Sequence, residues 1–170
     1  MSRFKLIVFI PLLLSMTSIT AFAAGNLSVT KSITINSPSE LVWAQVRDFN
    51  ALNSWHPAVA TDEIIEGENN QAGAVRLLTL GDGGTIKEKL ISWDDAGMSY
   101  SYMILEGVLP VSDYESTLSV RALSDTSTDV TWSGSFNAGG GADDQSAFDT
   151  ISGVYEGGLE NLAKIMNGGQ

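Results

Sequence analysis

Apolar positions in this chain follow two rhythms. Between residues 28 and 137 they mostly alternate with polar ones, the period-two signature of strands with one buried face. After residue 143 they recur every three or four residues, the period of a helix. The alternation divides at turn residues into seven predicted strands: 28–35, 60–67, 74–80, 85–94, 99–106, 113–122 and 128–137. Gly81-Asp82-Gly83-Gly84 and Asp95-Ala96-Gly97 read as hairpin turns, so the last six strands form an antiparallel meander.

Two short helical stretches interrupt the pattern after the first strand. Pro38 sits near the first position of a helix over 39–47, with Leu41, Val42 and Val46 on one stripe and Trp43 nearby. A second turn over 49–55 stops at Pro57, whose ring disfavours helix in the residue before it. The terminal segment, 143–166, carries Phe148, Ile151, Tyr155, Leu159, Leu162 and Met166 on one stripe. Asp143 and Asp144 favour its start through the helix dipole, and Gly168-Gly169 ends it. Gly153, Gly157 and Gly158 each cost a helix about 1 kcal/mol relative to alanine, so close approach to the sheet or room for a guest must offset them. The predicted fold is α+β: a seven-stranded curved antiparallel sheet around a long C-terminal helix, with two short helices after strand 1.

Strand parity assigns an inner face. Placing Glu115 and Arg121 in water turns Tyr114, Ser116, Leu118 and Val120 inward; the next strand contributes Val130, Trp132, Gly134 and Phe136. With Lys87 and Lys89 outward, Ile86, Glu88, Leu90 and Ser92 face in, which puts a carboxylate on an apolar surface. Such a group must be paired or protonated. Two readings stand: Glu88 pairs with an internal cation such as Arg76 for structure alone, or it borders a solvated cavity and meets a polar ligand.

Composition removes whole classes of chemistry. The 170 residues include no cysteine and a single histidine, His56, in Asn53-Ser54-Trp55-His56-Pro57. Disulfides, thiolate nucleophiles and multi-imidazole metal sites are therefore excluded, and no nucleotide or cofactor motif is present. At the N-terminus Arg3 and Lys5 precede an apolar run over residues 6–14 and a small-x-small site at Ala21-Phe22-Ala23, which reads as a signal peptide over 1–23. That leaves one domain, 24–170, in the periplasm or secreted, with no membrane attachment after cleavage. Losing Arg3 and Lys5 takes the formal charge from −11 to −13, which disfavours nucleic acid and anionic lipid as partners. The acidic surface either keeps the protein soluble or attracts a basic protein.

Several stretches, taken in order, carry a family resemblance: SPSELVWAQVRDFNALNSWHP, GAVRLLTL, GGTIKEKLISWDD, MSYSYMI, LPVSDYESTLSV, TDVTWSGSF and VYEGGLENL. With them the chain resembles the Bet v 1-like, or START-like, superfamily in its bacterial polyketide cyclase/dehydrase branch. Within that branch it is similar to the periplasmic accessory proteins of bacterial methanol oxidation. The resemblance implies the helix-grip fold and a cavity between sheet and long helix, suited to a small hydrophobic ligand. It also implies a partner role beside a periplasmic dehydrogenase and its c-type cytochrome.

On a more distant likeness to the plant abscisic acid receptors, His56 falls where those carry the lysine that meets the ligand carboxylate. Glu88 and Tyr114 fall on inward polar positions, and Trp132 replaces an inward acid. The receptors' gate motif is missing and the 81–84 loop is shorter, so hormone-style gating is not implied. The candidate ligand-facing set is His56, Glu88, Tyr102, Tyr114, Ser116, Trp132, Phe148 and Tyr155. His56 is expected at the cavity rim, titrating near neutral pH, or else closing one end of the sheet with Trp55. The expected function is non-enzymatic, in ligand binding, partner assistance or both. The alternative is a cyclase- or dehydrase-like enzyme using His56 and Glu88 as acid and base.

Overall fold

The computed structural model describes residues 25–168. The predicted signal peptide and Gly169 lie outside them. Seven strands form one antiparallel sheet: β1 (Leu27–Ile35), β2 (Val59–Glu66), β3 (Val75–Leu80), β4 (Thr85–Asp94), β5 (Ser99–Gly107), β6 (Val111–Ser124) and β7 (Ser127–Ala138). Their spatial order is β1-β7-β6-β5-β4-β3-β2, so the meander from β2 to β7 is closed on one side by the first strand. Helix α1 (Ser39–Val46) and a 3-10 turn (Leu52–Ser54) connect β1 to β2, and helix α2 (Asp144–Gly168) follows β7. This is the α+β helix-grip architecture.

The inner face follows the alternation closely. Tyr114, Ser116, Leu118 and Val120 on β6, and Val130, Trp132 and Phe136 on β7, are buried. On β4 the pattern holds for Ile86, Glu88 and Leu90, then reverses. The ladder to β5 shifts between Leu90 and Ser92, so Ser92 is exposed and Trp93 turns toward the core. Parity alone had placed Ser92 inward.

Both helices bury a stripe slightly rotated from the predicted one. In α1 the buried set is Ser39, Val42, Trp43 and Val46, whose three- and four-residue steps leave Leu41 on the opposite face in solvent. In α2 it is Ala147, Ile151, Tyr155, Gly158, Leu159 and Leu162. Ala147 therefore takes the inward place expected for Phe148. At about 100° per residue, Phe148 lies on the rim of the stripe near the helix start, and it is exposed.

Candidate functional site

His56 is the residue around which one end of the fold is assembled. Its own backbone N–H closes the 3-10 turn onto the Leu52 carbonyl at 2.8 Å, and Pro57 then ends the turn. The side chain points beneath α2 and is 4% exposed. Nδ1 accepts from the Ala58 N–H at 3.3 Å, so the proton sits on Nε2, which donates to the Val154 carbonyl at 3.0 Å. Burial holds the imidazole below its ordinary pKa, and Arg76 lowers it further, against the opposing pull of the Val154 carbonyl. Both ring nitrogens of His56 are thus engaged, and burial favours the neutral imidazole. His56 does border the interior cavity, as expected, but with α2 covering the ring its pKa is lowered rather than near neutral.

Gly158 makes that arrangement possible. A Cβ there would lie 2.6 Å from His56 Cδ2 and 2.9 Å from Trp132 Cζ3. The other two glycines of α2, Gly153 and Gly157, have open space at the same point, so close approach explains only one of the three. The Asn161 amide adds a second tie, donating to the Trp55 carbonyl at 2.9 Å.

Glu88 points inward as expected and meets Arg76. Arg76 Nε donates to Glu88 Oε2 at 2.8 Å, and Nη2 lies 2.6 Å from the same oxygen, an ion-pair contact without hydrogen-bond geometry. Arg76 Nη1 donates to the Phe49 carbonyl at 2.6 Å and approaches Asp62 Oδ2 at 3.3 Å. The guanidinium also stacks 4.1 Å over the Phe49 ring. Asp62 Oδ2 in turn accepts the Leu52 N–H at 2.9 Å, which anchors the 3-10 turn carrying His56. Parity could not identify Asp62 as the third member, because the β2–β3 register shifts between Val59 and Thr61.

Two carboxylates share one guanidinium in this cluster, and all three side chains are nearly dry. Burial raises the pKa of both Glu88 and Asp62, with Arg76 pulling each back down. For Arg76 itself burial acts to lower the pKa, but the two carboxylates outweigh it and hold the guanidinium charged. The cluster ties β2, β3, β4 and the segment before the 3-10 turn together.

A third group fills the centre. Tyr155 Oη is 2.6 Å from Tyr114 Oη and 2.9 Å from Ser116 Oγ, while Trp132 Nε1 donates to Tyr102 Oη and Ser116 Oγ, both at 3.0 Å. The Trp132 and Tyr155 rings stack at 4.6 Å. Burial pushes the Tyr102 and Tyr114 phenols well up and that of Tyr155 up to about 12, so all three stay neutral donors. Gly134 is required here, because a Cβ at that position would run into the Tyr155 hydroxyl.

Of the eight predicted ligand-facing residues, the structure brings seven together: His56, Glu88, Tyr102, Tyr114, Ser116, Trp132 and Tyr155. Phe148 stands outside. What the seven enclose is mostly side chain. A cavity of about 70 Å³ remains, bordered by His56, Glu88, Tyr102, Tyr114 and Trp132 and otherwise by apolar residues such as Leu52, Leu78, Ile86 and Val154. Pockets for small organic ligands are usually about 300–1,000 Å³. Sequence reasoning missed the backbone partners, the Val154 carbonyl above all, since a helical carbonyl leaves no signal in side-chain pattern.

The fold and this interior place the chain in a defined class: it belongs to the polyketide cyclase/dehydrase and lipid transport family, whose profile matches residues 26–167. It is 32% identical to the protein XoxI from Bacillus cereus, over 82% of this chain and 95% of that one, with a TM-score of 0.76. Fold likeness extends to a START superfamily protein from Mycobacterium smegmatis, 16% identical over 84% of this chain and 99% of that one, with a TM-score of 0.71. It also reaches the Zhui aromatase/cyclase from Streptomyces sp. R1128, 20% identical over 83% and 93%, with a TM-score of 0.68.

Proposed function

We propose that this protein is a non-enzymatic periplasmic accessory protein that works through its surface, assisting a dehydrogenase and its c-type cytochrome. The observation that carries the reading is the filled interior. Trp132, Tyr102, Tyr114, Tyr155 and Phe136 occupy much of the space between sheet and helix, and the cavity beside His56 and Glu88 measures about 70 Å³. An aromatic polyketide does not fit that space. His56 and Glu88, the acid–base pair of an enzymatic reading, already have both ring nitrogens and the arginine-facing oxygen committed to internal partners. The resemblance to methanol-oxidation accessory proteins favours a partner role, and the acidic charge suits a basic cytochrome.

The test is reconstitution. Electron transfer from the source organism's periplasmic dehydrogenase to its c-type cytochrome is timed with and without this protein, at low and at high salt. The expected result is a faster reaction at low salt that fades as salt screens the charges. Identical rates with and without the protein at every salt concentration overturn the reading. Cell fractionation with N-terminal sequencing checks the compartment, the expected product being a periplasmic chain beginning at Ala24.

A further inference from the structure

Pairing between β5 and β6 stops at Met103 opposite Glu115, four residues before β5 ends. Beyond that point residues 104–107 stay on β4, through Ile104 opposite Glu88 and Gly107 opposite Ile86. Val111 and Ser112 of β6 stay instead on β7, opposite Ala138 and Asn137. The two strands are thereby held apart. The cause is local: the β6–β7 register breaks between Ser112 and Glu115, where Asp113 takes a left-handed φ of 50°.

The resulting slot measures about 280 Å³. Ile104, Leu109 and Tyr114 form its floor and are also the wall of the interior cavity. Leu105, 47% exposed, lines the slot together with Val111. Two strand segments that face each other without a ladder, beside uncovered apolar side chains, are the conditions under which an extended chain adds to a sheet.

We propose that this slot docks an extended, lysine- or arginine-bearing segment of a partner protein. The segment pairs its backbone with the uncovered side of β5 and seats an apolar side chain beside Leu105 and Val111. This rests on the accessory-protein reading and names the surface it uses. Charge selects the partner. Asp82, Glu106, Asp113, Glu115, Asp143 and Asp144 lie on the strands and loops at this end, the last two just after Gly139, whose N–H bonds the Pro110 carbonyl. Lys87 and Lys89 are the nearby cations, and Lys87 is held 2.7 Å from Glu106.

The test titrates ¹⁵N-labelled protein with a capped octapeptide of alternating lysine and valine, followed by amide chemical shifts. The expected shifts fall on residues 104–107 and 111–113. Affinity drops roughly three-fold in Glu106→Gln and again in Asp113→Asn, a residue type that tolerates the left-handed backbone. It also falls between ionic strengths of about 0.01 M and about 1 M. Shifts centred on the outer edges of β1 or β2, no shifts at all, or equal binding of a glutamate–valine peptide each overturn the proposal. If the peptide fails while the protein still accelerates electron transfer, the slot alone is wrong; if both fail, the accessory reading falls with it.

Discussion

The imidazole of His56 occupies the space that a side chain at Gly158 would need, and from there it bonds the carbonyl of Val154 one turn earlier in the same helix. The WHP segment and the terminal helix are therefore fitted to each other at a single position.

Gly158→Ala should destabilise the protein by about 1–3 kcal/mol, since the overpacking cost and the lost hydrogen bond exceed the roughly 1 kcal/mol that alanine gains in a helix. Gly157→Ala, with open space at its Cβ, should be stabilising by up to about 1 kcal/mol. Urea unfolding of the two variants checks the opposite signs.

Because His56 is the chain's only histidine, one imidazole resonance reports it. NMR should find the Nε2–H tautomer and a pKa below the ordinary value of about 6.5. The folded state then takes up the proton less readily than the unfolded one. His56 contributes its full stability above about pH 6.5 and loses it as the pH falls through the lowered folded value. A stability profile of His56→Gln should lack that decline.

Glu88 and Asp62 act in the other direction. Their raised folded pKa values mean that the stability linked to their protonation is complete below about pH 4 and is lost as the pH rises through the folded values. Arg76→Leu removes the shared cation and should cost about 3–5 kcal/mol at pH 7, by leaving two buried carboxylates uncompensated. The deficit should shrink on acidification as they protonate; denaturant midpoints at pH 7 and pH 5 measure it.

Gly134 and Tyr155 should be coupled. Gly134→Ala is expected to destabilise the protein with Tyr155 present and less in a Tyr155→Phe background, where the obstructing hydroxyl is gone and the 3.0 Å approach to the Glu115 carbonyl remains. Tyr155→Phe alone should cost about 1–3 kcal/mol, through the partners left to Tyr114 and Ser116. A double-mutant cycle reads the coupling directly.

The order of elements and the inner face were legible because both depend on side-chain period, which the strands from Thr85 to Ala138 keep over most of their length. Ser92 and Asp62 escaped where a bulge shifts the register, and Phe148 where the helix turns its stripe by one residue. Glu88 was found as an inward polar group and His56 at the cavity rim, yet their roles were not legible. Whether a buried polar side chain faces a guest or a neighbour depends on the volume left by Trp132, Tyr155 and Tyr102, and on backbone groups such as the Val154 carbonyl. Neither appears in a pattern of residue types.

Native mass spectrometry of the protein purified from its own host tests the filled interior most directly. The account predicts the mass of the bare polypeptide, with at most a few bound waters. A retained organic molecule of several hundred daltons, displaced on unfolding, would contradict it.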